Sequence, residues 1–136
     1  MINLATSLDG KRVVVIGGAS GIGFAVAGLV HELGAQVVIA SRNSARVDAA
    51  IEHLPGITGK TVDLRDEASI SDLFEKVGEF DHLVITANDW GSSAPVATTD
   101  IDLAAAHDSF EVRFWGALAA VKHGSRFIAS PDRYSA

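Results

Sequence analysis

The sequence predicts an α/β fold, a doubly wound parallel sheet of five strands in the order 3-2-1-4-5 with helices on both faces. Two observations point there. Short apolar runs alternate with segments of helical period along the chain, joined by short connections. Between the first apolar run and the first helical stripe lies a glycine cluster, Gly17, Gly18, Gly21 and Gly23, where a strand must turn sharply into a helix. A length of 136 residues suits one domain spanning 1–136.

Each element follows from local pattern. Lys11 to Ile16 ends in Val13-Val14-Val15-Ile16, a β-branched run suited to a strand buried on both faces. From Gly21, the residues Ile22, Val26, Leu29, Val30 and Leu33 form one helical stripe, and Gly34 ends it as a left-handed cap. Gln36 to Ala40 is the second strand, and Asn43 to Leu54 a helix stopped by Pro55-Gly56. Ile57 to Val62 is a third strand. Asp66 to Val77 is a helix with Ile70, Leu73, Phe74 and Val77 on one face, and His82 to Thr86 is a fourth strand. Asn88 to Thr99 reads as a loop. Asp100 to His123 is helical with a break expected near His107-Asp108, and Ser125 to Ala129 is the fifth strand.

Composition excludes several classes. Seventeen acids against eleven bases give a net charge of −6, so no overall electrostatic footprint for nucleic acid exists. No cysteine is present, which removes disulfides and thiolate chemistry. The histidines lack ligand spacing, so no metal is expected. The uncharged run Val13 to Val30 is long, but its glycines mark a loop, not a membrane span. No secretory signal pattern opens the chain, and a cytoplasmic, soluble protein is expected.

The glycines have physical work at this turn. One allows the turn, one lets a pyrophosphate approach backbone, and one lets helix and strand pack closely, while the helix start offers N–H groups to phosphate. The loop Gly17-Gly18-Ala19-Ser20-Gly21-Ile22-Gly23 resembles the cofactor loop of the short-chain dehydrogenase/reductase family, with Ile16 where a threonine is usual. Ser41-Arg42 after the second strand, Asp63-Leu64 after the third and Leu83-Val84-Ile85-Thr86-Ala87-Asn88 match further family segments in order. Phe110 to His123 resembles the family's long interface helix. The resemblance covers essentially the whole chain. It implies a Rossmann fold and a cofactor site made by Gly17, Ser20, Gly21, Ile22, Gly23, Ser41, Arg42, Asp63, Leu64, Ala87 and Asn88.

Cofactor choice is read at the end of the second strand. Preference for NAD usually needs an acid there for the ribose 2′-hydroxyl, whereas this chain carries Ser41-Arg42 with Arg46 a turn later. A guanidinium fork suits a 2′-phosphate, so NADP(H) is expected, the other reading being a solvated surface arginine. By resemblance, Asp63 accepts from the adenine amino group; its other reading is a helix N-cap. Ala87 and Asn88 would line the nicotinamide ribose.

The resemblance implies hydride transfer to a small carbonyl or from an alcohol. Ser130 matches the serine that holds the carbonyl, and Tyr134-Ser135-Ala136 resembles the start of the Tyr-Ser-Ala-x-Lys stretch, making Tyr134 the acid/base candidate. The lysine of that stretch is not in this sequence, and Arg113 fills the position of the family's helix asparagine. The expected function is therefore the cofactor-binding portion of an NADP(H)-dependent short-chain oxidoreductase. The alternative is a non-catalytic NADP(H)-binding or regulatory module. A homodimer or homotetramer through the 107–123 helix is expected, with no nucleic-acid or membrane partner.

Overall fold

The computed structural model describes residues 7–88 and 95–129. Four parallel strands form its sheet: β1 (Arg12–Ile16), β2 (Gln36–Ser41), β3 (Thr58–Thr61) and β4 (His82–Ile85), in the order β3-β2-β1-β4. Val14 pairs with Val38 on one side and Leu83 on the other, so β1 is central. Its alternate side chains feed two cores. Val13 and Val15 join Val37 and Ile39 against Ala27 of α1 (Gly21–Glu32) and Val47 and Ala50 of α2 (Ser44–His53). Val14 and Ile16 join Val38 and Ala40 against Ile70, Leu73, Phe74 and Val77 of α3 (Glu67–Val77). This second core also holds Val112 and Ala120 of the long helical segment. Helices therefore cover both faces, as the alternation of apolar runs and helical stripes predicts.

Side-chain caps set most helix starts. Asn43 accepts from the Arg46 N–H to open α2, Asp66 from the Ala68 N–H to open α3, and Asp102 from the Ala104 N–H to open α4 (Leu103–Phe110). Gly34 follows α1 at φ +94°, the left-handed end expected of it.

The structure corrects three sequence expectations. The buried side of α1 is Gly23 and Ala27, while Ile22 and Leu29 are 76% and 57% exposed. The predicted stripe is thus rotated, because α1 lies so near the β1 turn that a Cβ at Gly23 would overlap the Gly17 carbonyl oxygen. Small residues must face the sheet there, Ile22 and Leu29 turn outward, and Phe24 and Val30 pack at the margin of the core. The long helical segment is not broken at His107-Asp108. Its irregularity is one wide π turn, Glu111–Gly116, between α4 and α5 (Ala117–Gly124).

The fifth strand does not form over Ser125–Ala129. The Phe127 and Ile128 N–H groups donate to the Gly124 carbonyl, so the end of α5 consumes these residues in a turn. Only an isolated parallel bridge, Phe80 to Ile128, begins pairing beside β4 among the described residues.

Candidate active site

The carboxyl ends of β1, β2 and β4 open into one cleft of about 1210 Å³. β1 sits between strands reached by connections running opposite ways, the switch point at which open α/β sheets leave a crevice. Backbone bonds carry the strand ladders into the loops of this crevice. The Gly17 N–H donates to the Ala40 carbonyl at 2.8 Å, the Thr86 N–H to that of Ile16 at 2.9 Å, and the Val62 N–H to that of Ser41 at 3.0 Å. The three loop segments are thereby fixed relative to one another.

The cleft gathers Gly17, Ser20, Gly21, Ile22 and Gly23 from the first turn, and Ser41 and Arg42 from the end of β2. Asp63 and Leu64 follow β3, and Ala87 and Asn88 follow β4. Every cofactor-site residue expected from the sequence thus lines this one space. Ser130 and Tyr134, and also Trp90, lie outside the described residues.

At the glycine loop, geometry and chemistry agree with a phosphate group. Gly17 has φ +93° and Gly21 φ +55°, conformations that favour glycine. A Cβ at Gly17 would lie 2.6 Å from the Ala87 nitrogen, whereas one at Gly21 would meet nothing within 4 Å. Gly17 and Gly23 are thus required for packing, and Gly21 borders open space. Unlike α2, α3 and α4, helix α1 starts without a side-chain cap, for Ser20 makes no such bond. Its first N–H groups and positive dipole end therefore remain available to an anion. These features fit a dinucleotide pyrophosphate.

Asp63 does not cap α3; Asp66 does. Instead the Asp63 N–H donates to Ser69 Oγ and its Oδ1 accepts from the Arg65 N–H, both at 2.9 Å. The carboxylate is therefore held by the turn it belongs to, at the cleft wall. Sequence reasoning did not single out Thr86 as a support, yet its hydroxyl donates to the Gly17 carbonyl at 3.4 Å. Its signal was its place in the run that resembles the family. Asn43, Ser44, Arg46, Val112, Arg113 and Ala117 also line the cleft. The π turn that brings Val112 and Arg113 there leaves no apolar-period signature to read. Three arginines, 42, 46 and 113, and one acid, Asp63, line this cleft, although the chain as a whole carries a net charge of −6.

Among the described residues, no group of three His, Asp or Glu side chains could hold a metal ion, and no helix is long and apolar enough to cross a membrane.

The doubly wound sheet, with a glycine turn at its switch point, places the chain in the class of Rossmann-type α/β folds. A family model described as short chain dehydrogenase matches residues 11–133, and the chain belongs to that family, whose members use nicotinamide cofactors. It is 34% identical over 143 residues to the short-chain dehydrogenase/reductase ucsE of Acremonium sp, covering 92% of this chain and 53% of that protein. It is also 34% identical over 122 residues to human (Homo sapiens) L-xylulose reductase, covering 90% and 47%. The solved MalC reductase/Diels-Alderase from Malbranchea aurantiaca superposes with a TM-score of 0.77 at 28% identity, covering 93% of this chain and 54% of that one. The chain thus spans about half the length of the curated relatives it matches.

Proposed function

We propose that this chain carries the cofactor site of an NADP(H)-dependent oxidoreductase that moves hydride between the nicotinamide and a small carbonyl or alcohol. The observation that carries this reading is the cleft wall at the end of β2. Ser41, Arg42, Asn43, Ser44 and Arg46 line it, and no carboxylate stands where a bare ribose 2′-hydroxyl would need one. Two guanidinium groups favour a 2′-phosphate through charge-assisted bonds. The pyrophosphate belongs at the uncapped start of α1, and the adenine beside Asp63 and Leu64. Ala87 and Asn88 then border the nicotinamide ribose. When bound, the dinucleotide supplies or accepts the hydride; Ser130 and Tyr134 are the proposed carbonyl holder and proton donor.

The reading includes self-association through the 107–123 helix and a cytoplasmic location. Titration of the chain with NADPH and NADH at low salt tests it. Tighter binding of NADPH is expected, and binding of neither would overturn the reading. NADPH that binds but is not oxidised by any of a panel of aldehydes and ketones would favour a binding or regulatory module.

A further inference from the structure

The residue that follows β4 donates twice to the glycine turn. The Thr86 N–H donates to the Ile16 carbonyl at 2.9 Å, and the Thr86 hydroxyl to the Gly17 carbonyl at 3.4 Å. Among the described residues this hydroxyl is the one donor to the Gly17 carbonyl. The backbone bonds that join the strand ends engage the Gly17 N–H and the Ile16 carbonyl instead. The same hydroxyl fills space that two glycines leave open. A Cβ at Gly17 would lie 2.7 Å from it, and one at Gly23 would overlap both it and the Gly17 carbonyl. The Gly17 carbonyl is therefore turned towards Thr86 and Gly23, and all three residues line the cleft.

We propose that Thr86 is a positioning residue whose hydroxyl holds the negative end of the Gly17 peptide away from the pyrophosphate of a bound dinucleotide. The proposal rests on the cofactor reading above. Gly17 has φ +93°, and glycine has the widest choice of backbone conformations, so neighbouring bonds must fix the direction of its peptide. A carbonyl turned into the cleft would present its negative end to two phosphates, at a partly buried point where repulsion is stronger than in water. With the hydroxyl in place, that turn costs a hydrogen bond. Thr86 acts from a fixed base, because the preceding residue, Ile85, is paired with Ile16 in the sheet. The hydroxyl bond is long, so its removal is expected to weaken binding severalfold and not to abolish it.

The test compares NADPH with adenosine 2′-monophosphate, which carries the 2′-phosphate but no pyrophosphate. Dissociation constants are measured on the full chain for the parent, Thr86→Val, Thr86→Ala and Thr86→Ser, with a urea curve for each. Valine keeps the shape without the hydroxyl, alanine removes both, and serine keeps the hydroxyl. The valine and alanine variants should bind NADPH roughly three- to tenfold more weakly, and the monophosphate within about twofold of the parent. The serine variant should bind both ligands within about twofold of the parent. Equal weakening of both ligands, parental NADPH affinity in a folded valine or alanine variant, or no rescue by serine would each overturn the proposal. Loss of the folded state in both the valine and alanine variants would assign the hydroxyl to folding and overturn it as well. A parent that does not bind both ligands would instead overturn the cofactor reading itself.

Discussion

Gly21 and Gly23 lie two residues apart, yet a methyl group added at each would meet opposite surroundings. At Gly23 it would overlap the Thr86 hydroxyl and the Gly17 carbonyl, and the carbonyl is backbone that cannot clear without moving the loop. Gly23→Ala should therefore destabilise the fold by about 1–3 kcal/mol or more, read as a lower urea midpoint. At Gly21 the added group would stand in open space, and the cost is the left-handed backbone alone, about 1–2 kcal/mol. Gly21→Ala should keep the fold and lose dinucleotide affinity, measured by titration beside the urea curve. Binding at parental strength by a folded Gly21→Ala protein would contradict placement of the pyrophosphate at this turn.

The contact between α3 and α5 adds a pH dependence. Glu67 Oε1 accepts from Lys122 Nζ at 2.6 Å and pairs with His123 Nε2 at 2.8 Å. The Lys122 hydrogen bond first, and the His123 bond second, hold the Glu67 carboxyl below its ordinary value of 4.5. A lowered carboxyl pKa means stability that is present above the ordinary value and lost as pH falls through the folded one. Unfolding curves of the parent and Glu67→Gln should therefore differ at neutral pH and converge in acid, with a smaller difference in high salt because the group is exposed. A difference that persists at pH 2 would assign the effect to something other than this charge. At this scale, strand and helix order was legible because β-branched runs and helical periods alternate. The buried side of α1 was not, since hydrophobicity places Ile22 and Leu29 inward while close packing on Gly17 demands Gly23 and Ala27 there. Nor was the π turn, which ends at Gly116 where the backbone passes close to that of Leu64. That the proposed cofactor residues share one cleft was legible because each sits next to a strand end, where position in sequence fixes position at the crevice. The Thr86 hydroxyl bonds a partner far away in the chain, the Gly17 carbonyl, which spacing does not reveal.

For the molecule as a whole, the outer face of the long helical segment carries a run of exposed apolar side chains. Phe110, Phe114, Trp115, Leu118 and Val121 are each more than half exposed, while Val112, Gly116, Ala120 and Gly124 face inward. Burying about 500 Å² of apolar surface there would contribute on the order of 12 kcal/mol before the cost of association. The chain should therefore sediment as a dimer or larger at micromolar concentration, and Phe114→Glu should shift it towards monomer. A parent that sediments as a monomer would contradict association through this face. The same scale holds the central proposal, that an acidic chain sets three arginines, Arg42, Arg46 and Arg113, along one cleft that takes NADP(H). Its most direct test is the ratio of NADPH to NADH dissociation constants, measured at low salt in the parent and in Arg42→Asp. The parent should favour NADPH by the value of one or two charge-assisted bonds, about 1.5–3 kcal/mol each, and the variant should favour NADH. Equal affinities for the two dinucleotides in both proteins would contradict the account.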